Sequence, residues 1–570
     1  MKSNEKDDIS INSAPQYTES SLPKNSKWQQ FKDSFKRVDT TNSNINLTDV
    51  EKANQLSNNN DLHRSLKSRQ IQMIALGGSI GTGLLIGSGG ALAKGGPASL
   101  LISYGLVGTM VFCVIHALGE LCVAFPVAGA FSTYATRFVD SSWGFAVGWN
   151  YAIMWLIVLP LELVAAAMCI KYWNDKINPA SWVAIFYVFI VAINLFGVKG
   201  YGEAEFYLTI LKVIAIVGFI ILGVVLVCGG GPNHEFIGSK NWKIPFTNGF
   251  KGLCVTFITA SYSLAGSELV GLTSAETSNP HKTLPKAVRQ IFWRLFLFYF
   301  LSLTFIGLLV PADSPELLGS SDTSASPFVL AIKAGGIYAL PSIFNACILI
   351  SILSVGNSAV YGCSRTIQSL GAQGLAPSIF AYVDRKGRPL VGLIISAIFG
   401  LLCFLSAYKD EETVFNWLLS VSGLATIFSW FNIGLCHVRF RLAMFKQGKS
   451  MDELIFKSVT GIYGTIYSMG LLLLVLGVQF WTALFPLGSN GKANATSFFQ
   501  NYLGSVVILV FYLCHKIYTK NWRLYIKLKD IDLDSGRRDV DLELIKAELE
   551  QERELNKSRS VFIRVWKYWC

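Results

Sequence analysis

The chain has 570 residues, 52% hydrophobic and only 15% charged. Soluble globular chains carry about 25% charge, so an ordinary soluble domain is excluded in favour of segments that lie where water cannot solvate ions. The formal charge of +12 is not gathered into a nucleic-acid arm: residues 1–69 hold 11 Lys/Arg against 9 Asp/Glu, and residues 516–570 hold 13 against 10.

Residues 1–69 read as a cytoplasmic tail, polar, without periodicity and of disordered composition. They hold no apolar run of a secretory signal, so the first apolar helix is expected to act as its own signal anchor. A bilayer core about 30 Å thick needs about 20 apolar helical residues. Segments that meet this lie near 70–93, 98–124, 143–169, 180–197, 204–228, 250–274, 292–311, 338–363, 390–407, 413–436, 464–485 and 498–518. The expectation is an all-α integral membrane protein of about twelve transmembrane helices, with a transporter domain over 70–518 and a second tail over 519–570. An even number puts both tails on one side. With the tails inside, inner loops carry 15 Lys/Arg and outer loops 9, so positive charge places both termini in the cytoplasm. The sequon at Asn494 then falls outside, where it is a glycosylation candidate. The eleven cysteines include no CxxC pair and no Cys/His cluster, so neither a metal nor a cofactor is expected.

Two segments are not plain apolar helix. The first contains Gly77-Gly-Ser-Ile-Gly-Thr-Gly83 and the sixth Tyr262-Ser-Leu-Ala-Gly-Ser-Glu268. Glycine weakens helix, and unwound backbone inside a bilayer is tolerated only against protein or a water-filled cavity. Small residues also let helices pack closely, but interruptions at matching places in two halves point to a transporter site between inverted repeats. The halves are 70–228 and 250–436, with extra helices over 464–518. A half-helix N-terminus suits a carboxylate, so backbone at Gly81, Thr82 and Gly83, with the hydroxyls of Ser79 and Thr82, forms a candidate nest. Carbonyls in the break around Tyr262, Ser263, Ala265 and Gly266 are candidate acceptors for an ammonium group.

Five ionisable residues fall deep in apolar segments: His116, Glu120, Glu162, Lys212 and Glu268. Each costs at least about 2.5–3.5 kcal/mol at mid-bilayer, so each is a functional candidate. Lys212, Glu268 and Glu162 are the candidates for proton coupling, against static ion pairing. Glu120 and His116 read rather as packing or paired residues.

These motifs closely resemble the fungal general amino acid permeases of the amino acid–polyamine–organocation superfamily. The resemblance runs from about His63 to Cys570. It is carried by the stretch from Leu66 to Gly83, Phe196-Gly-Val-Lys-Gly-Tyr-Gly-Glu-Ala-Glu205, Ala265-Gly-Ser-Glu-Leu-Val-Gly271, Asn279-Pro280, Ser354-Val-Gly-Asn-Ser358, Asp384-Arg-Lys-Gly-Arg-Pro389 and Trp569-Cys570. It implies a five-plus-five inverted-repeat core with two added helices, and proton-coupled uptake of L-amino acids at the plasma membrane, with the endoplasmic reticulum and endosomes visited in transit. Gly81–Gly83 would hold the substrate carboxylate, and the backbone of Tyr262, Ser263 and Ala265 would meet the amino group. Lys212 resembles the fifth-helix lysine that replaces a sodium site, and Glu268 the acidic residue of the sixth helix that responds to pH. Leu264 stands where many relatives carry Phe. In such relatives tail lysines accept ubiquitin from a ligase and its adaptors, which makes Lys24 and Lys27 candidates. Cys570, after Trp566, Tyr568 and Trp569, is a candidate for palmitoylation. A nutrient receptor of the same fold and a permease for a narrow amino acid class are the alternatives. An enzyme is not expected, because no catalytic cluster or hydrolase motif is found.

Overall fold

The computed structural model describes residues 33–37, 62, 66–174, 176–318, 326–407, 411–535 and 537, together with 543, 547, 548, 551, 554, 555 and 560. Lys24, Lys27 and Cys570 lie outside these residues. The described chain is helical throughout, with no strand beyond isolated bridges at Arg37–Asp384 and Leu66–Thr277. The principal helices are α1 (Ser68–Gly77), α2 (Ser88–Ala124), α3 (Ala130–Phe138), α4 (Ser141–Lys171), α5 (Pro179–Leu195), α6 (Gly197–Val227), α7 (Gly249–Leu264), α8 (Leu269–Leu272), α9 (Pro280–Arg289) and α10 (Ser302–Leu309). There follow α11 (Pro327–Ala334), α12 (Leu340–Gln373), α13 (Leu390–Gly400), α14 (Glu411–Lys446), α15 (Gly461–Leu484) and α16 (Ala495–Thr519).

Among the described residues, nine helical stretches are long and apolar enough to cross a membrane, and two shorter ones, Pro179–Leu195 and Leu390–Ser406, are apolar. One of the nine, Gly83–Ala124, is two crossings. Gly96 breaks it at φ +82° and ψ 170°. Ser263 of α7 lies against both Gly83 and Tyr104, and Thr256, two turns earlier, against both Gly95 and Ser99. The two legs therefore run antiparallel along α7, and the total is the twelve expected from hydropathy.

Helix ends differ where polar residues find protein partners. α12 runs to Gln373 and α14 to Lys446, about ten residues past their apolar segments. Ser364, Arg365, Ser369 and Gln373 are all buried there, and Gln373 Nε2 donates to Ser132 Oγ at 2.9 Å. Hydropathy reports the end of the apolar run; the helix continues because protein, not water, solvates these groups.

Burial separates core helices from lipid-facing ones. In α4, 83% of the most apolar window is buried, against 22% in α15 and 11% in α16. α4 packs against α12, α14 and α3 at the centre of the bundle. Exposed Ile214, Val217 and Ile221 on α6, and Leu473 and Leu474 on α15, form an apolar outer surface, which suits hydrocarbon.

Two described segments outside the crossings, residues 33–37 and 526–535, are strapped to the bundle. Tyr382 donates to Phe35 O at 2.6 Å, and Arg388 lies 4.3 Å over the Phe35 ring. After α16, Ile526 N donates to Val139 O at 2.8 Å. Arg137 of α3 donates to Asp532 O at 2.9 Å and Ser535 O at 2.7 Å. Ile531 and Leu533 are buried against the core.

Candidate substrate site

The first crossing unwinds after Gly77. Residues 78–81 are non-helical, and the chain resumes as a π-helical turn over Gly83–Gly87. The sixth crossing ends as α7 at Leu264, swings through Ala265 (ψ 151°) and Gly266 (φ +88°), and resumes as α8 at Leu269. The two breaks meet backbone to backbone. A Cβ on Gly266 would collide with Gly78 O, and one on Gly83 would stand 2.6 Å from Ser263 Cα. Only glycine allows this approach, and at Gly266 only glycine tolerates the backbone angle. The Tyr299 hydroxyl lies 2.8 Å from Ser79 O and 3.0 Å from Ser263 O, so one donor tethers the first unwound stretch to the last turn of α7.

A cavity opens at this meeting point. The first break contributes Gly78, Ser79, Gly81, Thr82 and Gly83, the second Tyr262 and Ala265, and α4 Met154, Trp155, Val158 and Glu162. Val355, Ser422 and Thr426 close it. Glu162 Oε1 accepts from Thr82 Oγ1 at 2.8 Å and from the Tyr262 hydroxyl at 3.1 Å. Its Oε2 is buried with no hydrogen-bond partner among the described residues. A buried, half-satisfied carboxylate on a cavity wall is an acceptor for a cation or a proton.

Of the eight candidates for substrate binding, six line the cavity: Ser79, Gly81, Thr82, Gly83, Tyr262 and Ala265. Ser263 and Gly266 do not. The Ser263 hydroxyl donates to Thr259 O at 2.7 Å and lies 2.6 Å from the Tyr104 hydroxyl. Gly266 N donates to the Glu268 carboxylate at 3.1 Å. Carbonyls of the second break are already engaged: Tyr262 O accepts from Ala265 N at 3.1 Å, and Leu264 O from Ser267 Oγ at 2.8 Å.

The proton-coupling candidates separate. Glu162 lines the cavity. Glu268 stands behind the second break, where Trp430 Nε1 (3.2 Å) and the Tyr151 hydroxyl (3.4 Å) also donate to it. Lys212 of α6 is 1% exposed, and its Nζ donates to Gly77 O at 2.6 Å. It thus places a cation at the carbonyl end of α1, where the helix dipole favours one. Glu120 accepts from Arg441 Nε and Nη2 at 2.9 and 2.6 Å and from Ser458 N at 2.6 Å. His116 packs between Phe112 and Phe456. Asn494 caps α16, accepting from Ser497 N at 3.0 Å, and is exposed.

Two residues that stand behind the site, outside its lining, escaped the sequence reading. Tyr299 sits in the run Leu295–Leu301 and reads there as lipid-compatible; the usable signal is that a buried tyrosine hydroxyl needs a partner. Glu205, 0% exposed, lies two helical turns before Lys212 on the same face of α6. That i, i+7 spacing was legible in the sequence.

A family model described as amino acid permease matches residues 70–528. The amino-acid permease GAP3 of Candida albicans is 70% identical, with 100% of both chains covered. The general amino-acid permease GAP1 of Saccharomyces cerevisiae is 51% identical over 96% of this chain and 92% of its own. The histidine permease of the same yeast is 48% identical over 90% of this chain and 87% of its own. On the extent of that family match and the identity of relatives covered almost end to end, the chain belongs to the amino acid permease family.

Proposed function

We propose that the chain is a plasma-membrane permease that takes up L-amino acids of many kinds in symport with protons. The observation that carries this reading is the cavity at which two broken helices meet, walled by glycine backbone on one side and by Glu162 on the other. The substrate carboxylate lies against the backbone of Gly81, Thr82 and Gly83 at the start of the resumed helix, which suits an anion. The ammonium group lies against Ala265 and Glu162 Oε2, since other carbonyls of the second break are engaged and that oxygen is not. The side chain is left to Met154, Val158 and Thr426. Lys212, Glu162 and Glu268 are the coupling groups, in a five-plus-five core of halves 70–228 and 250–436 related by inverted topology. Both termini are cytoplasmic by the charge asymmetry of the loops; Lys24, Lys27, Cys570 and Asn494 are modification sites on their respective sides.

Relatives named general amino-acid permease favour breadth, and those named tryptophan permease and histidine permease stand for the narrower reading. The test is uptake of radiolabelled amino acids by cells expressing the full chain, each challenged with the other amino acids in excess. Accumulation against a gradient, collapsed by a protonophore and competed by many amino acids, is the expected result. Binding without accumulation would make the protein a receptor, and competition by one class only would make it a specialised permease.

A further inference from the structure

Lys212 does not face a single carboxylate. It lies within electrostatic reach of Glu162 on the cavity side and of Glu205 on its own helix. Glu205 and Lys212 converge on Gly77, the last residue of α1. Lys212 Nζ holds Gly77 O at 2.6 Å, while a Cβ on Gly77 would overlap Glu205 Oε1 and the hydroxyl of Thr209. Glu205 is fully buried. Its Oε1 accepts from Ser354 Oγ at 2.5 Å and from Thr209 Oγ1 at 3.4 Å. Its Oε2 makes no hydrogen bond of ordinary length, with the Asn357 amide beside it. The other titratable neighbour is Tyr201, one turn earlier, whose ring stacks on Tyr361 and which lies within reach of Glu276 and Arg365.

Position gives the pair a direction. Seven residues of helix separate Glu205 from Lys212, about 10 Å along the axis. Glu205 lies toward the end of α6 where Glu203 pairs with exposed Arg69 at 2.9 Å, beside the chain's N-terminal entry into the bundle. Glu162 opens to the cavity, Lys212 lies behind it, and Glu205 lies beyond Lys212 on the side of the tails. Two carboxylates and one ammonium carry a net charge of −1 if all are ionised. A low-dielectric interior disfavours that, so an extra proton shared among the three is stabilising.

We propose that Glu205 is the inner acceptor of the proton relay, taking from Lys212 the proton that enters at Glu162 and releasing it toward the cytoplasmic side. Lys212 and Glu205 do not touch directly, so the transfer runs through one water between them: an Nζ–H bond of the ammonium breaks as its proton passes to the water, and the water gives a proton to Glu205, leaving a neutral amine and a neutral acid. The acid then releases its proton to water admitted from the tail side, and the amine is reprotonated from Glu162. The neutral amine holds Gly77 O less strongly than the ammonium does, since charge-assisted hydrogen bonds are about twice as strong. Proton transfer thereby loosens the end of α1 next to the substrate.

The inference rests on the symport reading, and the experiment separates the two. The purified full chain is reconstituted in liposomes and given an equimolar mixture of radiolabelled L-amino acids. Accumulation under an inside-alkaline gradient of one pH unit is measured beside counterflow exchange without a gradient. With the membrane potential clamped at zero, one proton per neutral substrate gives wild type about tenfold accumulation, since a pH unit is a tenfold ratio. Glu205→Gln keeps the volume and removes the acid; it should fall to equilibration, while exchange stays within about twofold of wild type. Glu205→Asp should keep part of the accumulation with a displaced pH profile. Wild-type accumulation by Glu205→Gln overturns the inference alone, as does proportional loss of exchange and accumulation in both variants. If Glu205→Gln fails to fold, Glu205→Asp decides: a displaced profile supports the relay and a wild-type profile overturns it. Wild type that exchanges but never accumulates overturns the symport reading and the inference with it.

Discussion

At the scale of the residue, the buried ionisable groups differ in what they leave unsatisfied. Glu268 accepts from Gly266 N, Trp430 Nε1 and the Tyr151 hydroxyl. All three are donors, so Glu268→Gln must set its new N–H₂ group against at least one of them. An unmade buried hydrogen bond costs about 1–3 kcal/mol. Glu268→Gln is therefore expected to lower surface abundance and thermal stability together. As a coupling group it should also lose proton-driven accumulation per molecule at the surface; the check is abundance beside uptake at two pH values, and wild-type accumulation per molecule would leave Glu268 a helix anchor only. Lys212 is different, because its ammonium donates to Gly77 O rather than to a carboxylate. Lys212→Ala is expected to abolish accumulation driven by a pH gradient, measured as a loss of pH dependence in concentrative uptake. Wild-type pH dependence in that variant would reduce Lys212 to a helix cap.

At the scale of the element, the site is made by the absence of side chains. Gly266 combines a left-handed backbone with contact against Gly78 O, so Gly266→Ala meets strain and a backbone collision at once. Uptake by this variant should fall at least about tenfold, the effect of about 1.4 kcal/mol or more. Gly90 is the control. It is helical, and a Cβ there meets nothing within 4 Å. Gly90→Ala should keep wild-type uptake and gain up to about 1 kcal/mol of helix propensity. Equal uptake by the two variants would remove the argument that the breaks must touch. The glycine runs were legible in the sequence as interruptions; which glycines press on which backbone was not, because that contact joins residues nearly two hundred positions apart.

At the scale of the whole molecule, the residues after the last crossing are part of the folded body. Arg137 is 1% exposed, bonded to two carbonyls of that segment and 4.1 Å over the Phe125 ring. Arg137→Ala should cost about 1–3 kcal/mol through orphaned carbonyls, read as a lower melting temperature in detergent and earlier tryptic cleavage at Arg537. The Asp532 carboxyl beside it is raised by burial, but hydrogen bonds from Ser535 and the Asp534 N–H, with Arg137, hold it below its ordinary value of 3.8. A depressed acid stabilises the strap above that ordinary value and ceases to as pH falls through the folded one. Protection of Arg537 from protease should therefore be constant from neutral pH down to about 4 and decline only below it. A decline already near pH 6 would show that another group holds the strap.

What the amino-acid sequence determined alone is what depends on local composition. Twelve crossings follow from apolar runs long enough to span hydrocarbon, and two broken crossings from glycine clusters within them. Glu162 and Lys212 stood out as charges where charge is expensive, and the family followed from motifs spread from Leu66 to Cys570. Tertiary structure alone decided which oxygen of Glu162 is left bare, that Tyr299 ties the first break to the end of α7, that Ser263 and Gly266 do not line the cavity, and that Glu205 and Lys212 both lie against Gly77. The physical reason is one of range. Hydropathy and helix propensity are summed over neighbours in the chain, whereas satisfaction of a buried polar group depends on atoms brought within about 3 Å by packing.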